Sequence, residues 1–265
     1  MSCESYKTDQ IAETLKPLKE DVRMFSVKSR GLFRQPFELK ESRGTIVSDS
    51  EKAIQTAIFY IKFHRRELER YIRDHPRFLY SLQPVPVGRG PKIAELMSES
   101  TEKVGVGPMA AVAGVLADLA VESMVSEGAR VAVVENGGEA SVVSDSPIDV
   151  VLLAGDSPLS KRVGFRIERS TMGVATSSGV YSHALSFGDA EAVTIFAENA
   201  GLADAAATAV GNLVKGDDYS SAIDCGIKKA LSIYGVRGVF ILYRERVGRG
   251  GEIPPIIKVN NVTRR

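Results

Sequence analysis

The chain has 265 residues, 44% of them hydrophobic and 25% charged, the balance of a water-soluble globular fold. Its 34 Lys and Arg against 33 Asp and Glu leave a net charge of +1, which argues against a nucleic-acid or membrane partner. Two cysteines, Cys3 and Cys225, give no disulfide framework, and no uncharged apolar run approaches the ~20 residues of a membrane span. Residues 1–19 are polar and mixed in charge, without a signal-peptide core, so a cytoplasmic location is expected.

Residues 1–20 carry a weak helical pattern (Ile11, Leu15, Leu18) and read as a peripheral arm. From 24 to 47 the sequence alternates like strands, with turns expected at Arg30-Gly31 and Ser42-Arg43-Gly44. Ser48-Asp49-Ser50 is a helix start, followed by an apolar stripe of Ile54, Ala57, Ile58, Ile61 and Leu68. Arg65, Arg66, Glu67, Glu69 and Arg70 fall outside that stripe and read as a solvated face. Residues 82–91 form a Pro/Gly loop between sub-layers.

The segment 108–125 is apolar almost all round, which predicts a helix buried between layers. Its charges, Asp118 and Glu122, are four apart and therefore on one face. A buried carboxylate there needs a hydrogen-bonding partner or a cation; the alternative is a solvent-facing pair or a cap on a neighbouring loop. Strands are expected at 130–135, 140–143, 149–153, 162–168, 191–196 and 239–243, and helices at 199–214 and 220–234. Beyond Gly248 the tail, 249–265, reads as extended. Short turns between strands make antiparallel pairing dominant, so the fold class is α+β: largely antiparallel sheet layers with long packed helices, in a single domain spanning 1–265.

Gly105-Val106-Gly107-Pro108-Met109-Ala110 fits a dinucleotide-binding spacing, but the polar residues before it cannot be a buried first strand, so that site is excluded. Asn136-Gly137-Gly138-Glu139 is a tight turn that demands positive φ. Asp204 and Thr208, four apart on an Ala-rich helix, aim two hard oxygens one way, a pattern that suits Mg2+ or simple support of the helix start. Thr176, Ser177, Ser178, Tyr181 and Ser182 surround Gly179 with hydroxyls, ready for a phosphate or a ring, or merely for a turn. His183 beside them titrates near neutrality and suits acid–base work. Cys225 falls opposite the apolar face of its helix, with Lys228 and Lys229 at i+3 and i+4, neighbours that favour a thiolate.

Taken together, these motifs resemble the ApbE-like flavin transferase superfamily, in its archaeal and bacterial branch. Ala113-Gly114-Val115-Leu116-Ala117-Asp118 is similar to that family's K-G-x-A-V-D helix start, and Glu135 to Glu139 to its N-x-G-G-D/E turn. Ala175 to Tyr181 resembles A-T-S-G-x-Y with one extra serine, and Ala203 to Ala209 resembles A-D-A-x-A-T-A. Ala113 stands where the family has lysine, and its H-x-I-x-D-P-R-T-G segment has no counterpart around residues 182–189. The resemblance implies FAD or FMN and Mg2+ as cofactors, with FMN moved onto a Ser or Thr hydroxyl of a partner protein. It implies Asp204 and Thr208 as metal ligands, joined by the Leu116 carbonyl. It also implies that Asn136, Gly137, Gly138, Glu139, Thr176, Ser177, Ser178 and Tyr181 line the nucleotide cleft.

The expected function is therefore a cleft for flavin or another phosphate-bearing ligand plus Mg2+, serving a transferase or hydrolase, with His183, Asp118 and Cys225 as candidate catalytic groups. The alternative is a non-flavin accessory protein of sulfide assimilation or sulfur amino-acid synthesis that carries sulfur as a Cys225 persulfide. Either form is compatible with a homo-oligomer.

Overall fold

The computed structural model describes residues 4–7, 25–27, 32–152, 154, 157–179 and 188–259. Within them, thirteen strands form two sheets, and every pairing is antiparallel. In chain order the strands are β1 (Glu4–Lys7), β2 (Phe25–Val27), β3 (Phe33–Leu39), β4 (Ser42–Ser48), β5 (Val131–Asn136), β6 (Glu139–Ser144) and β7 (Ile148–Val151). They continue with β8 (Val163–Ile167), β9 (Ser170–Ser177), β10 (Ala192–Ala197), β11 (Val236–Tyr243), β12 (Arg246–Gly251) and β13 (Ile256–Lys258). The large sheet runs β1-β12-β11-β10-β9-β6-β5-β4-β3 and the small one β13-β8-β7-β2. The helices are α1 (Glu51–Asp74), α2 (Pro76–Tyr80), α3 (Lys92–Glu102), α4 (Val112–Ser126, entered through a 3-10 turn, Pro108–Ala111), α5 (Ala200–Gly211) and α6 (Tyr219–Leu231).

Period-two alternation explains the layering. Along β11, Val239, Ile241 and Tyr243 join the core under the helices, while Phe240 and Leu242 join the core under the small sheet. In β5, Val131 and Val133 face the small sheet, and Ala132 and Val134 face α1 and α4. The large sheet is thus a middle layer, apolar on both faces, with helices on one side and four strands on the other. The α+β class and the antiparallel dominance hold.

Several local readings need correction. Ser42, Arg43 and Gly44 lie inside β4, not in a turn; the chain reverses at Lys40-Glu41, where Lys40 has φ 56. Gly44 is required by contact: a Cβ there would sit 1.8 Å from the Glu135 carbonyl oxygen. Residues 170–177, where the sequence predicts no strand and assigns the last two residues to a hydroxyl-rich loop or turn, form β9 between β6 and β10. The tail is not merely extended, since β12 pairs with β11 and β13 with β8. Pro108–Ser126, 19 residues, reaches mean hydropathy 1.6 in its most apolar 18-residue window and is long and apolar enough to span a bilayer; here it packs against α1, α5 and the sheet. The Ile11, Leu15 and Leu18 pattern lies outside the described residues.

Candidate functional site

Two buried helices hold each other's starts. The first turn of any helix leaves N–H groups without intrahelical partners. In α5, the Ala200 and Gly201 N–H groups donate to the two Asp118 carboxylate oxygens at 3.0 and 2.8 Å, and Asn199 accepts from Leu202 N–H at 2.8 Å. In return, Asp204 of α5 accepts from Gly114 N–H at 3.0 Å, and from Ala113, at the start of α4, whose own N-cap Ala111 supplies no side chain. The crossing is close enough to need small residues: a Cβ on Gly114 would lie 2.2 Å from the Ala200 carbonyl oxygen. Asp118 and Glu122, expected as a pair on one face, separate: Asp118 is half-buried, with both oxygens on the start of α5, and Glu122 is exposed.

The β5–β6 hairpin delivers the next groups to the same place. Gly137 (φ 79) and Gly138 (φ 131) take the left-handed backbone the turn needs, which glycine adopts without strain. The Asn136 amide donates to the Ala113 carbonyl at 3.1 Å, tying the turn to the start of α4. The Glu135 carboxylate accepts hydrogen bonds from the backbone of Thr45, Gly138 and Gly137, yet burial still pushes it up to about 8. Burial, then the neighbouring Asp204 and Glu135 charges, raise Glu139 well above the usual carboxylate range. Asp204 and Asp118 are raised by burial as well, against the hydrogen bonds that hold them. The outside charges acting on these four groups are other carboxylates.

These carboxylates lie behind one end of a cavity of about 790 Å³. Ala113, Asn136 and Gly137 line it next to them, together with the apolar Leu68, Met109 and Leu116 and with Arg66, Arg70 and Arg73 of α1. Arg66 and Arg70 of the basic run on α1 are solvent-exposed, as expected, and also border this cavity.

The predicted residues distribute unevenly. Asn136, Gly137, Gly138, Glu139 and Asp204 converge, with Asp118 behind them. Thr208 lies half-buried one turn after Asp204. The Thr176 hydroxyl is engaged with that of Thr194 at 2.9 Å, and Ser177 ends β9 beside the buried Ser178. Tyr181, Ser182 and His183 lie outside the described residues. Cys225 is exposed in a separate shallow groove with Lys228 and Lys229, which shares no lining residue with the cavity. Sequence reasoning missed Glu135 and the arginine wall. The signals were a carboxylate ending the wholly buried run Val131-Ala132-Val133-Val134, and arginines spaced four and three apart.

The donors fit Mg2+. Asp204, Glu139 and the Thr208 hydroxyl offer hard oxygens, and a cation would relieve carboxylates that burial otherwise holds protonated. Among the described residues no three His, Cys, Asp or Glu close around one point, so remaining ligands must come from hydroxyl, carbonyl, water or phosphate oxygens.

A family model described as AbpE bacteria matches residues 33–230. Curated relatives carrying the description UPF0280 protein include one from Methanococcus vannielii, 38% identical over 86% of this chain and 94% of its own length. Another, from Methanopyrus kandleri, is 41% identical over 83% and 91%. Among solved structures, the apo flavinyl transferase ApbE of Pseudomonas stutzeri aligns over 88% of this chain and 96% of its own, with TM-score 0.51 and 15% identity. The ApbE protein of Thermotoga maritima aligns over 84% and 96%, with TM-score 0.51 and 17% identity. At such identities the structural likeness speaks for the fold.

Proposed function

The chain belongs to the AbpE bacteria family, and from that premise we propose that its cavity binds a flavin nucleotide with Mg2+ and supports transfer or hydrolysis at the phosphate, in the cytoplasm. The observation that carries this reading is the convergence of Asp204, Glu139 and the Asn136-Gly137 turn at one end of an apolar-floored cavity. Leu68, Met109 and Leu116 offer an apolar surface to a planar ring, and the charged residues of the same lining suit its phosphate groups.

Asp204 and Glu139 would hold the ion, together with Thr208. When bound, Mg2+ draws charge from phosphate oxygens and makes the phosphorus easier to attack. The chain's own residues do the positioning. Asp204 is fixed by the α4 N–H groups, so its orientation does not have to be set when ligand arrives. Asn136, bonded to the Ala113 carbonyl, holds the hairpin against α4 and keeps Glu139 beside Asp204. Asp118 acts through α5: it holds the helix start at Ala200 and Gly201, four and three residues before Asp204. The acceptor is water or a hydroxyl of a partner protein.

Calorimetry with FAD, with and without Mg2+, tests the reading. FAD should bind in a Mg2+-dependent way, and Asp204→Asn should weaken that binding at least about tenfold, the loss of one charge-assisted ligand. Equal FAD affinity with Mg2+ and with EDTA would remove the metal role. The thiol alternative has in its favour the exposure of Cys225 between Lys228 and Lys229. It predicts iodoacetamide alkylation well below the pH at which a free cysteine reacts, and ordinary alkylation kinetics would discard it.

A further inference from the structure

The α1 wall of the cavity carries charge that the carboxylate cluster beside it does not use. Five cations, Lys40, Arg65, Arg66, Arg70 and Arg73, line the cavity against two carboxylates, Glu41 and Glu69, while the whole chain is nearly balanced. Most of these cations are already engaged. Lys40 pairs with Glu69 at 2.6 Å, Arg70 with Glu67 at 2.6 Å, and Arg65 donates to the Ser42 hydroxyl at 2.6 Å and to Glu41.

Arg66 and Arg73 differ. Neither makes a hydrogen bond or ion pair among the described residues. They stand seven residues apart on α1, about 10 Å along the axis and on the same face, with Arg70 between them. Both are exposed where they border the cavity, and a guanidinium without a carboxylate partner has its planar fork free to take a phosphate.

We propose that Arg66 and Arg73, with Arg70 between them, form a second anion subsite that works without metal. It takes a phosphomonoester or other multiply charged phosphate group, on the α1 wall of the cavity, which Asp204 and Glu139 do not line. The ligand class that follows is one with anionic groups at two places joined by an apolar or ring-bearing middle, one group for the metal end and one for the arginines. This rests on the reading of the cavity as the ligand cleft, and the assignment of Asp204 is independent of it.

Inorganic pyrophosphate is the probe, titrated calorimetrically into full-length protein in EDTA at low salt, so that no metal-bound mode contributes. Wild type should bind it, and 0.5 M NaCl should weaken the binding, as expected for phosphate held by exposed guanidinium groups. The double variant R66Q/R73Q should lose about tenfold or more in affinity. Both arginines are exposed, so the melting curve of the double variant should match wild type. FMN should likewise lose affinity in R66Q/R73Q, whereas riboflavin, which lacks the phosphate, should not.

Wild-type pyrophosphate affinity in R66Q/R73Q, or no metal-free binding to wild type, overturns the subsite. The two readings fail separately. If D204N keeps Mg2+-dependent FAD binding while R66Q/R73Q loses pyrophosphate, the metal assignment falls and the subsite stands. If D204N abolishes FAD binding while R66Q/R73Q binds pyrophosphate normally, the subsite falls alone.

Discussion

At Asp118 two backbone N–H donors meet one carboxylate, and the Ser141 hydroxyl adds a third bond. The sequence showed only an acidic residue in an apolar helix, which fits a catalytic acid and a structural cap equally well. The contacts commit both oxygens to holding the start of α5. Asp118→Ala should therefore leave two N–H groups without partners and cost about 2–6 kcal/mol, at ~1–3 kcal/mol for each unsatisfied group. Asp118→Asn, keeping one acceptor, should recover about half. Urea denaturation measures both, and an Asp118→Ala midpoint equal to wild type would disprove the capping role. Glu135 was harder to single out. Its chemistry depends on Thr45, which is far away in sequence and adjacent only through the β4–β5 pairing.

Among the elements, those with clean periodicity were legible and those with mixed composition were not. The long helix α1 follows from its Ser50 cap and its apolar stripe, and the Val-rich β5 from its composition. β9 reads Ser-Thr-Met-Gly-Val-Ala-Thr-Ser, dense in turn formers, and becomes a strand because β6 and β10 pair with it on both sides. α3 was missed for a similar reason. Its Ser, Glu and Thr residues mask a buried face of Ile93, Ala94, Met97 and Thr101. Gly173 shows how such a strand is specified. A Cβ there would lie 2.0 Å from the Asn199 carbonyl carbon and 2.2 Å from the Ala200 nitrogen, both backbone atoms at the start of α5. Gly173→Ala must push that helix away, so a cost of about 3 kcal/mol or more is expected, at the upper end of overpacking. The displaced α5 would carry Asp204 with it, so Mg2+-dependent FAD binding should weaken in the same variant. A Gly173→Ala protein with wild-type melting and wild-type FAD affinity would contradict the close contact.

For the whole molecule, the buried acidic end sets how stability varies with pH. Burial raises Glu135 from its ordinary 4.5 to about 8. Between those values the folded chain keeps a proton that the unfolded chain has released, so the folded state binds more protons and stability falls as pH rises. Below about 4.5 and above about 8 this contribution is flat. At roughly 1.4 kcal/mol per pKa unit, it amounts to something on the order of 5 kcal/mol across the window. Asp118, Glu139 and Asp204 are shifted in the same direction and steepen the decline. Chemical denaturation of metal-free protein from pH 5 to 8.5 should therefore show progressive loss, and Glu135→Gln, which cannot ionise, should flatten part of it. Parallel profiles for the two proteins would show that Glu135 ionises normally in the fold. The same cluster links stability to the proposed chemistry. A ligand that brings Mg2+ to these carboxylates requires them ionised, so it should restore more stability at pH 8, where the uncompensated charge costs most, than at pH 6. The destabilised acidic end of the cavity is then the feature that binding converts into affinity.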